Sequence, residues 1–292
     1  MELILDINKP FNLEYSLDSG QLFRWTEKKN WRIGLIHNTV VKIKKIKSKL
    51  FINTSNKIDE KDIIRYFRLD DNLDLIIKEI NKDECIDNSI RRFLGLRLIR
   101  QEPWECLISY LCSPVSNIPK IKHNIKLLTE KFGEKNEFQN NIYYNFPTPK
   151  KLAEASINEL TACGLGFRAK NISNISREIY SGNFRLSNIK KMKYNLAFSH
   201  LNEIRGVGPK IADCVLLFAF EKLDAFPIDR WIARVIFRNY LNKISYKETA
   251  TSEKISLSFK KYQEISSSMR KYFGKHAGYA QQYLYYNMIN NI

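Results

Sequence analysis

The sequence predicts a mainly α-helical protein with an N-terminal antiparallel β-sheet domain, which is an α+β fold. From Trp31 onward, apolar and polar residues alternate in short runs, the pattern of strands with one face in solvent. Beyond about Asp59 the apolar residues recur with the period of a helix, and this pattern continues to the end of the chain. Because 292 residues suffice for two domains, we expect a sheet domain over residues 1–90 and a helical body over residues 91–292.

The sheet is expected to contain three runs separated by polar turns. They read WRIGLI from Trp31, TVVKIKKI from Thr39 and LFI from Leu50. Each run is short and rich in β-branched or aromatic residues, and each ends at turn-forming or charged residues. An antiparallel arrangement follows from these short connections.

Proline and glycine punctuate the predicted helical body. Pro103 suits the first residue of a helix, where its missing N–H has no intrahelical partner. Gly164 with Gly166, and Gly206 with Gly208, mark two tight turns between helices.

The charge balance indicates a polyanionic partner. Lys and Arg number 48 against 31 Asp and Glu, which gives a net charge of +17. Nucleic acid is the leading interpretation. A lysine-rich composition that follows an AT-rich coding sequence would also give this charge, and basic residues do fill the segment from Val41 to Lys49, where no function is evident.

Cysteine and histidine usage argues against a disulfide framework and against a metal centre. The five cysteines are odd in number and form no C-x-x-C pair, and the four histidines show no metal-ligand spacing. The N-terminus lacks the basic start and long apolar run of a signal peptide, and no stretch approaches the roughly 20 apolar residues of a membrane span. We therefore expect a cytoplasmic protein, nucleoid-associated if the source is prokaryotic, with no membrane partner.

A helix-hairpin-helix is expected near residues 198–221. The first helix should end at about Arg205, and Gly206 and Gly208 then flank the apolar Val207. Glycine permits both the turn and the close approach of a phosphate. Exposed N–H groups at the start of the second helix, aided by its dipole, would bind one DNA phosphate without reading sequence. A plain helix C-cap would explain Gly206 alone.

Lys210 is the candidate nucleophile. It follows Pro209 in the first turn of the second helix, where the positive end of the dipole disfavours an ammonium. It also shares a helix face with Cys214 and Leu217. Both surroundings favour the neutral, nucleophilic amine. Lys210 alone leaves open the alternative of a surface lysine that touches a second phosphate.

Asp229 adds a carboxylate to the same unit. It precedes the helical run that starts at Trp231, so it suits the N-cap, where backbone donors would hold it rigid and ionised. Lys210 and Asp229 lie at opposite ends of one helix and a short loop, so they could face each other across a pocket. This pairing suggests chemistry performed on DNA.

The run GVGPKIADC from Gly206 to Cys214, followed by DAFPID up to Asp229, resembles the helix-hairpin-helix glycosylase superfamily. Within it, the most similar family is that of the 8-oxoguanine DNA glycosylases. The resemblance extends over most of the chain in the family's order, through SGQLFRW from Ser19, RQEPWECL from Arg100, GLGFRA from Gly164 and AGYAQ from Ala277. It implies the helix-hairpin-helix DNA glycosylase fold, in which two helical subdomains flank the active-site cleft.

The resemblance implies a bifunctional DNA N-glycosylase and AP lyase of base-excision repair. Lys210 would attack the sugar C1′ of a flipped nucleotide, displace 8-oxoguanine and leave a Schiff base that can undergo β-elimination. Asp229 would stabilise the positive charge that develops on the sugar. The Gly20 carbonyl would accept a hydrogen bond from N7–H, which guanine lacks. The other implied base contacts are Gln281 at the Watson–Crick edge, Cys214 and Tyr285 at the ring faces, and Phe218 and Pro227 at the pocket wall.

The resemblance also implies a set of DNA contacts. Phe167 and Arg168 match residues that wedge the duplex and contact the base opposite the lesion, while Asn117, Lys120 and the hairpin residues Gly206, Val207 and Gly208 complete the set. Val115 stands where animal-type enzymes have a gap-filling asparagine, and Lys120 replaces an expected arginine. Trp231 replaces a histidine. The departures at Val115 and Lys120 leave open the preference for cytosine opposite the lesion, and the one at Trp231 implies a remodelled phosphate contact.

Three other functions are weighed against this one. An endonuclease III-like enzyme would carry a four-cysteine iron–sulfur loop, but no cysteine follows Cys214. A monofunctional alkylpurine-type glycosylase keeps the aspartate and lacks the lysine, so Lys210 opposes it. A non-catalytic helix-hairpin-helix DNA-binding protein would explain the hairpin and the charge but has no need of Asp229 or Gln281.

The expected partner is double-stranded DNA that contains 8-oxoguanine, bound by a monomer. No organic cofactor or catalytic metal is expected, because the lysine supplies the covalent step. The hairpin carbonyls offer a place for a structural monovalent cation.

Overall fold

The computed structural model describes residues 1–243 and 257–291. Its N-terminal part is a five-stranded antiparallel sheet with strand order β1-β5-β4-β3-β2. The elements are β1 (Glu2–Asp6), α1 (Leu13–Asp18), β2 (Thr26–Lys28), β3 (Trp31–Ile36), β4 (Thr39–Ile46) and β5 (Lys49–Thr54). The three predicted strands are confirmed as β3, β4 and β5. They are joined in register by the pairs Arg32 with Ile43 and Ile43 with Ile52.

Two strands of the sheet were not predicted. Strand β1 pairs with β5, with Leu3 opposite Ile52, so its partner lies about fifty residues away in the sequence. Strand β2 has only three residues, all exposed, and therefore shows no apolar alternation.

The rest of the described chain is mainly helical, as expected, and proline opens several of the helices. Pro103 begins α5, which confirms that prediction. Among the described residues, no helix has the combination of length and apolar character that crossing a bilayer requires. The helices are α2 (Glu60–Tyr66), α3 (Leu73–Ile80), α4 (Glu84–Arg92), α5 (Pro103–Leu111), α6 (Ile118–Phe132), α7 (Pro149–Glu154), α8 (Ile157–Leu160), α9 (Arg168–Tyr180), α10 (Leu186–Lys191), α11 (Tyr194–Asn202), α12 (Pro209–Ala219), α13 (Arg230–Asn239), α14 (Phe259–Phe273) and α15 (Ala277–Ile289).

The expectation that the chain is entirely helical beyond Asp59 was wrong at one place. Strands β6 (Lys135–Phe138) and β7 (Asn141–Tyr144) form a two-stranded hairpin. Its turn, Gln139-Asn140, has two consecutive positive φ angles of 49° and 57°, a geometry that suits the twist of a tight hairpin. The hairpin is fixed to the N-terminal sheet because Gln139 accepts a 3.1 Å hydrogen bond from Lys42.

The buried apolar residues form two cores that divide near residue 70. One core runs from Leu5 to Leu69 and includes Ile99, and it lies under the sheet. The other includes Phe23 and otherwise runs from Leu73 through the helical body. Helices α3 and α4 therefore pack with the helical body, although a boundary at residue 90 assigns them to the first domain.

Arg97 links the segments that surround the two cores. Its side chain is fully buried. Nε and Nη2 both donate to the Pro10 carbonyl at 3.2 and 2.8 Å, and Nη1 donates to the carbonyls of Arg68 and Asp71 at 2.9 and 3.0 Å. One guanidinium thus donates to three carbonyl groups from two segments of the chain.

Replacing Arg97 with methionine is expected to destabilise the protein strongly. The substitution removes the guanidinium donors of the Pro10 and Asp71 carbonyls and leaves the Arg68 carbonyl with the Asp71 N–H alone, so the free energy of unfolding should fall by roughly 3 kcal/mol. Arg91→Met is the control, because Arg91 is exposed and pairs only with Asp87 one turn away. Its effect should stay below about 0.5 kcal/mol. Equal shifts in chemical denaturation of the two variants would contradict this account of Arg97.

Candidate active site

The predicted hairpin is present between α11 and α12. Helix α11 ends at Asn202, three residues before the expected end at Arg205. Gly206 has φ +92°, and a Cβ there would lie 2.3 Å from Nδ2 of Asn171, so both the backbone and its neighbour require glycine. At Gly208 a Cβ would meet no atom within 4 Å, so space is open in front of α12. The Val207 side chain is buried, so a phosphate here would meet backbone groups.

All eight residues assigned to catalysis and base binding line one small cavity of about 50 Å³. They come from the loop after α1, from α12, from the segment that precedes α13, and from α15. Among the described residues, no cluster of three or more His, Cys, Asp or Glu side chains is arranged to hold a metal ion. The lining residues are Gly20, Tyr110, Lys210, Cys214, Phe218, Pro227, Asp229, Gln281, Gln282 and Tyr285.

Lys210 enters this cavity from the first turn of α12. Its Nζ lies 4.9 Å from the centre of the Tyr110 ring. Cys214 follows one turn later, and burial raises the pKa of its thiol to about 12, although the neighbouring Lys210 acts in the opposite direction. Burial also raises the pKa of Tyr285. The two groups predicted to sandwich the base are therefore neutral at physiological pH.

Asp229 is the N-cap of α13, as predicted. Its Oδ1 accepts from the backbone N–H groups of Trp231 at 3.0 Å and Ile232 at 2.8 Å. Burial nevertheless raises the pKa of this carboxyl group and outweighs the capping hydrogen bonds and Lys210, which lower it. The backbone donors favour the ionised form, as expected, and burial opposes them. The side chain is rigid, but its affinity for a proton is higher than that of a free aspartate.

Gly20 lies in a turn that only glycine fits. Its φ is +77°, and a Cβ would approach Tyr285 Cε1 to 3.1 Å and the Tyr285 hydroxyl to 3.3 Å. Gln282, which also lies on α15, donates a 2.6 Å hydrogen bond to the Ser19 carbonyl. The backbone at Gly20 is therefore held against α15.

The buried side chain of Gln21 fixes the same turn from the other side. Its Nε2 donates to the carbonyls of Ser16 at 2.8 Å and Arg97 at 2.9 Å. Its Oε1 accepts from the Ile99 N–H at 2.8 Å. In addition, Gln101 donates a 2.7 Å hydrogen bond to the Gln21 carbonyl. The Gly20 carbonyl thus belongs to a turn whose position is set by both halves of the molecule.

Gln281 has an unpaired acceptor in the cavity wall. The residue is only 5% exposed, and its Oε1 finds no hydrogen-bond donor among the described residues. A buried amide oxygen without a donor costs about 1–3 kcal/mol, so such groups call for an explanation. A ligand that presents a donor at this position would satisfy it.

Sequence reasoning missed two lining residues, Tyr110 and Gln282. The Tyr110 ring lies parallel to that of Phe218, with an interplanar angle of 6° and 5.8 Å between ring centres. An aromatic residue within the apolar run of α5 looks like any core residue, so the sequence offers no signal for it. Gln282 directly follows Gln281, but the family resemblance implied a role only for Gln281.

The predicted DNA contacts fall into exposed and buried groups. Phe167 is 64% exposed, after the positive-φ residue Gly166, as suits a wedge. Arg168 is buried instead: its guanidinium donates to the carbonyls of Pro114, Val115 and Leu165. Contact between Arg168 and an opposite base would require these bonds to break. The predicted contact of Arg168 with the opposite base stays a prediction, and the side chain is not exposed in this structure.

Arg168 holds the loop that carries the other predicted contacts. Val115 stands at the tip of this loop with φ +51° and 90% exposure, an unusual setting for a β-branched residue. Asn117 is the N-cap of α6 and accepts from the Lys120 N–H at 2.9 Å, while the Lys120 side chain is exposed. Phe167 and Val115 are thus connected through Arg168 on one part of the surface.

Comparison with known proteins agrees with this geometry. The chain matches the 8-oxoguanine DNA glycosylase N-terminal domain over residues 4–107. It matches the HhH-GPD superfamily of base excision DNA repair proteins over residues 118–261. A probable N-glycosylase/DNA lyase of Methanothermobacter thermautotrophicus is 31% identical over 221 residues, which is 67% of this chain and 68% of the relative. The N-glycosylase/DNA lyase of Saccharomyces cerevisiae is 29% identical across 92% of this chain and 81% of its own.

A solved structure extends the likeness to the whole fold. The 8-oxoguanine glycosylase/lyase of Clostridium acetobutylicum, in complex with double-stranded DNA that contains cytosine opposite 8-oxoguanine, superposes with a TM-score of 0.86. It is 33% identical, and the match covers 99% of both chains. The chain therefore belongs to the 8-oxoguanine DNA glycosylase family of the helix-hairpin-helix superfamily.

Proposed function

We infer that this protein is a base-excision repair enzyme that removes 8-oxoguanine from duplex DNA and cleaves the strand at the resulting abasic site. One observation carries the inference. In a chain of this family, Lys210 and Asp229 meet Gly20 and Gln281 at a single cavity. The cavity thus combines a nucleophile, a carboxylate, a rigid backbone acceptor and an unpaired amide.

Lys210 and Asp229 supply the groups that the reaction needs. The lysine nitrogen forms a bond to C1′ while the bond from C1′ to the base N9 breaks, and the base leaves with the electron pair and takes up a proton. The sugar ring then opens to a Schiff base, from which β-elimination releases the 3′ phosphate. Asp229 is close enough for Lys210 to act on its pKa, and burial raises its affinity for a proton, so it suits both charge stabilisation and proton acceptance.

Gly20 and Gln281 are the proposed readers of the base. The Gly20 carbonyl is the acceptor for N7–H, the one donor that separates 8-oxoguanine from guanine on that edge. The unpaired Gln281 amide oxygen is the acceptor for a donor on the Watson–Crick edge. The neutral Cys214 thiol and the Tyr285 ring are the flanking surfaces. The base reaches them only after it leaves the duplex stack, which costs a few kcal/mol.

We also propose that one copy of the chain acts on one duplex without a cofactor. Lys210 supplies the covalent step that a cofactor would otherwise provide. The net charge of +17 supports a phosphate-dominated affinity that weakens with salt. A structural monovalent cation at the hairpin carbonyls remains part of this proposal.

Lys210→Gln is expected to abolish covalent chemistry while DNA binding remains. Borohydride reduces a Schiff base to a stable adduct, so the wild-type protein should be trapped on a duplex that contains 8-oxoguanine and the variant should not. Lys260→Gln, at an exposed position on α14, is the control and should be trapped normally. Full trapping of Lys210→Gln would exclude this lysine as the nucleophile, and excision without trapping would favour an alkylpurine-type mechanism that uses water.

Gly20→Ala is expected to stop excision of 8-oxoguanine because it changes the turn that carries the proposed N7–H acceptor. The new Cβ has to displace Tyr285, which lies 3.1 Å away, and the turn is strained because φ is +77°. Gly182→Ala is a matched control, because Gly182 has φ +81° but nothing within 4 Å of a Cβ. Both variants should lose roughly 1–2 kcal/mol of stability. Only Gly20→Ala should lose single-turnover excision activity, and normal activity in that variant would argue against base reading at this turn.

Val115 is expected to weaken discrimination among the bases opposite the lesion. An exposed valine offers no hydrogen bond, and one good base contact contributes about 1–3 kcal/mol of discrimination. Val115→Asn should therefore increase the ratio of excision rates for cytosine against the other three opposite bases. Val115→Ala, which adds no polar group, should leave that ratio unchanged. An identical ratio in the asparagine variant would show that this loop does not read the opposite base.

A further inference from the structure

A buried polar cluster behind the cavity has no part in the mechanism described above. Its centre is Asp213, which lies on α12 three residues after Lys210 and is fully buried. Asp213 Oδ1 accepts from the Tyr194 hydroxyl at 2.6 Å. Oδ2 accepts from the Tyr262 hydroxyl at 2.7 Å and lies 3.3 Å from the Ser266 hydroxyl. The carboxylate thus points to α11 and α14 and away from the substrate.

Tyr262 connects this cluster to the catalytic segment. Its hydroxyl donates to Asp213 and also accepts from the Ile228 N–H at 3.1 Å. Ile228 lies between Pro227 and Asp229, both of which line the cavity. One phenol oxygen therefore joins the helix that carries Lys210 to the residue next to Asp229.

Helix α14 fixes the same segment at two further points. Tyr262, Ser266 and Arg270 are spaced four residues apart, so they share one face of the helix. The Ser266 hydroxyl lies 3.3 Å from the Phe226 carbonyl, and Arg270 Nε donates to the Asp224 carbonyl at 3.1 Å. Arg270 also forms an ion pair with the Asp224 carboxylate. The segment from Asp224 to Ile228 is consequently held along its length by one helix.

Burial of the Asp213 carboxylate costs folding free energy, so stability alone does not explain an aspartate at this position. Burial raises the pKa of Asp213 to about 6, against the effects of its hydroxyl partners and of Arg270, which lower it. Among the described residues, no basic side chain forms a direct ion pair with it. A well-packed apolar group would avoid the desolvation of a buried carboxylate. What the carboxylate provides is directional hydrogen bonding between three helices.

We propose that Asp213 and Tyr262 are positioning residues that hold Asp229 opposite Lys210. The proposal rests on the assignment of those two residues as the catalytic pair. Lys210 belongs to α12 and Asp229 to the segment before α13, so the distance between the two side chains depends on the contacts that join these two elements. The Asp213–Tyr262–Ile228 connection joins them directly. Misplacement of a reacting group by about 1 Å can cost on the order of a hundredfold in rate.

The test compares Tyr262→Phe with Tyr194→Phe. Each variant removes one hydroxyl donor from Asp213, but only Tyr262 also holds the Ile228 N–H. Single-turnover excision of 8-oxoguanine should fall at least about tenfold in Tyr262→Phe and stay within about threefold of wild type in Tyr194→Phe. The Kd for the same duplex should be unchanged in both variants. A purely structural cluster would give equal rates in the two variants, and that result overturns the proposal.

Asp213→Asn provides a second and independent measurement. It preserves the size of the side chain but places an amide where two hydroxyls now donate to one carboxylate. Its excision rate should fall as in Tyr262→Phe, and the double variant should be no slower than the slower single variant, because both changes break one connection. Multiplicative losses in the double variant, measured below the melting temperature of all four proteins, would contradict a shared role.

Lys210→Gln and Asp229→Asn in the same assay distinguish failure of the catalytic assignment from failure of the positioning role. If the wild-type protein does not excise 8-oxoguanine, the proposed function fails. If it does and either variant excises at the wild-type rate, the assignment of the catalytic pair fails, and the positioning proposal fails with it. If both variants are inactive while Tyr262→Phe and Tyr194→Phe excise equally, the catalytic assignment stands and only the positioning role is wrong.

Discussion

The burial of α12 is the constraint on which the active site depends. Every residue from Ile211 to Phe218 is buried, so the helix can neither rotate nor slide without exposing apolar surface. Helix α15 packs directly against it at Gly278, where a Cβ would lie 2.2 Å from the Leu217 side chain. The half-buried first turn of α12 is therefore fixed relative to α15. For this reason Lys210 and Gln281 meet at one cavity although they lie about seventy residues apart.

Desolvation raises the pKa of two side chains that line this cavity. It keeps Cys214 neutral, which suits the proposed contact with an uncharged base. Around Asp229 it raises the affinity of the carboxylate for a proton, while the capping N–H groups of α13 and the amine of Lys210 counteract part of that change. A carboxylate poised in this way can stabilise a cation on the sugar and still exchange protons with the lysine during the reaction.

The sequence could predict those parts of the site that depend on local patterns. The glycines of the hairpin, Lys210 and the N-cap position of Asp229 are properties of one short stretch, and all lie where the stretch implied. Tyr110 became a lining residue only through the packing of α5 against α12, which no local pattern encodes. The motif that contains Arg168 places it beside the predicted wedge Phe167, but its side chain donates hydrogen bonds to three backbone carbonyls, which no local pattern predicts. Strand β1 was missed for a similar reason, because its partner is distant in the sequence.

The unpaired oxygen of Gln281 links substrate recognition to the melting behaviour of the free protein. In the folded protein the Gln281 Oε1 is removed from water and has no donor among the described residues, which lowers the free energy of unfolding of the ligand-free protein. By thermodynamic linkage, a ligand that completes this bond raises the temperature at which the protein unfolds. An apolar side chain of similar shape at position 281 would eliminate the unpaired oxygen and raise the free energy of unfolding of the ligand-free protein. The same change would remove the proposed contact to the Watson–Crick edge, so in this proposal a small instability of the ligand-free protein accompanies base binding.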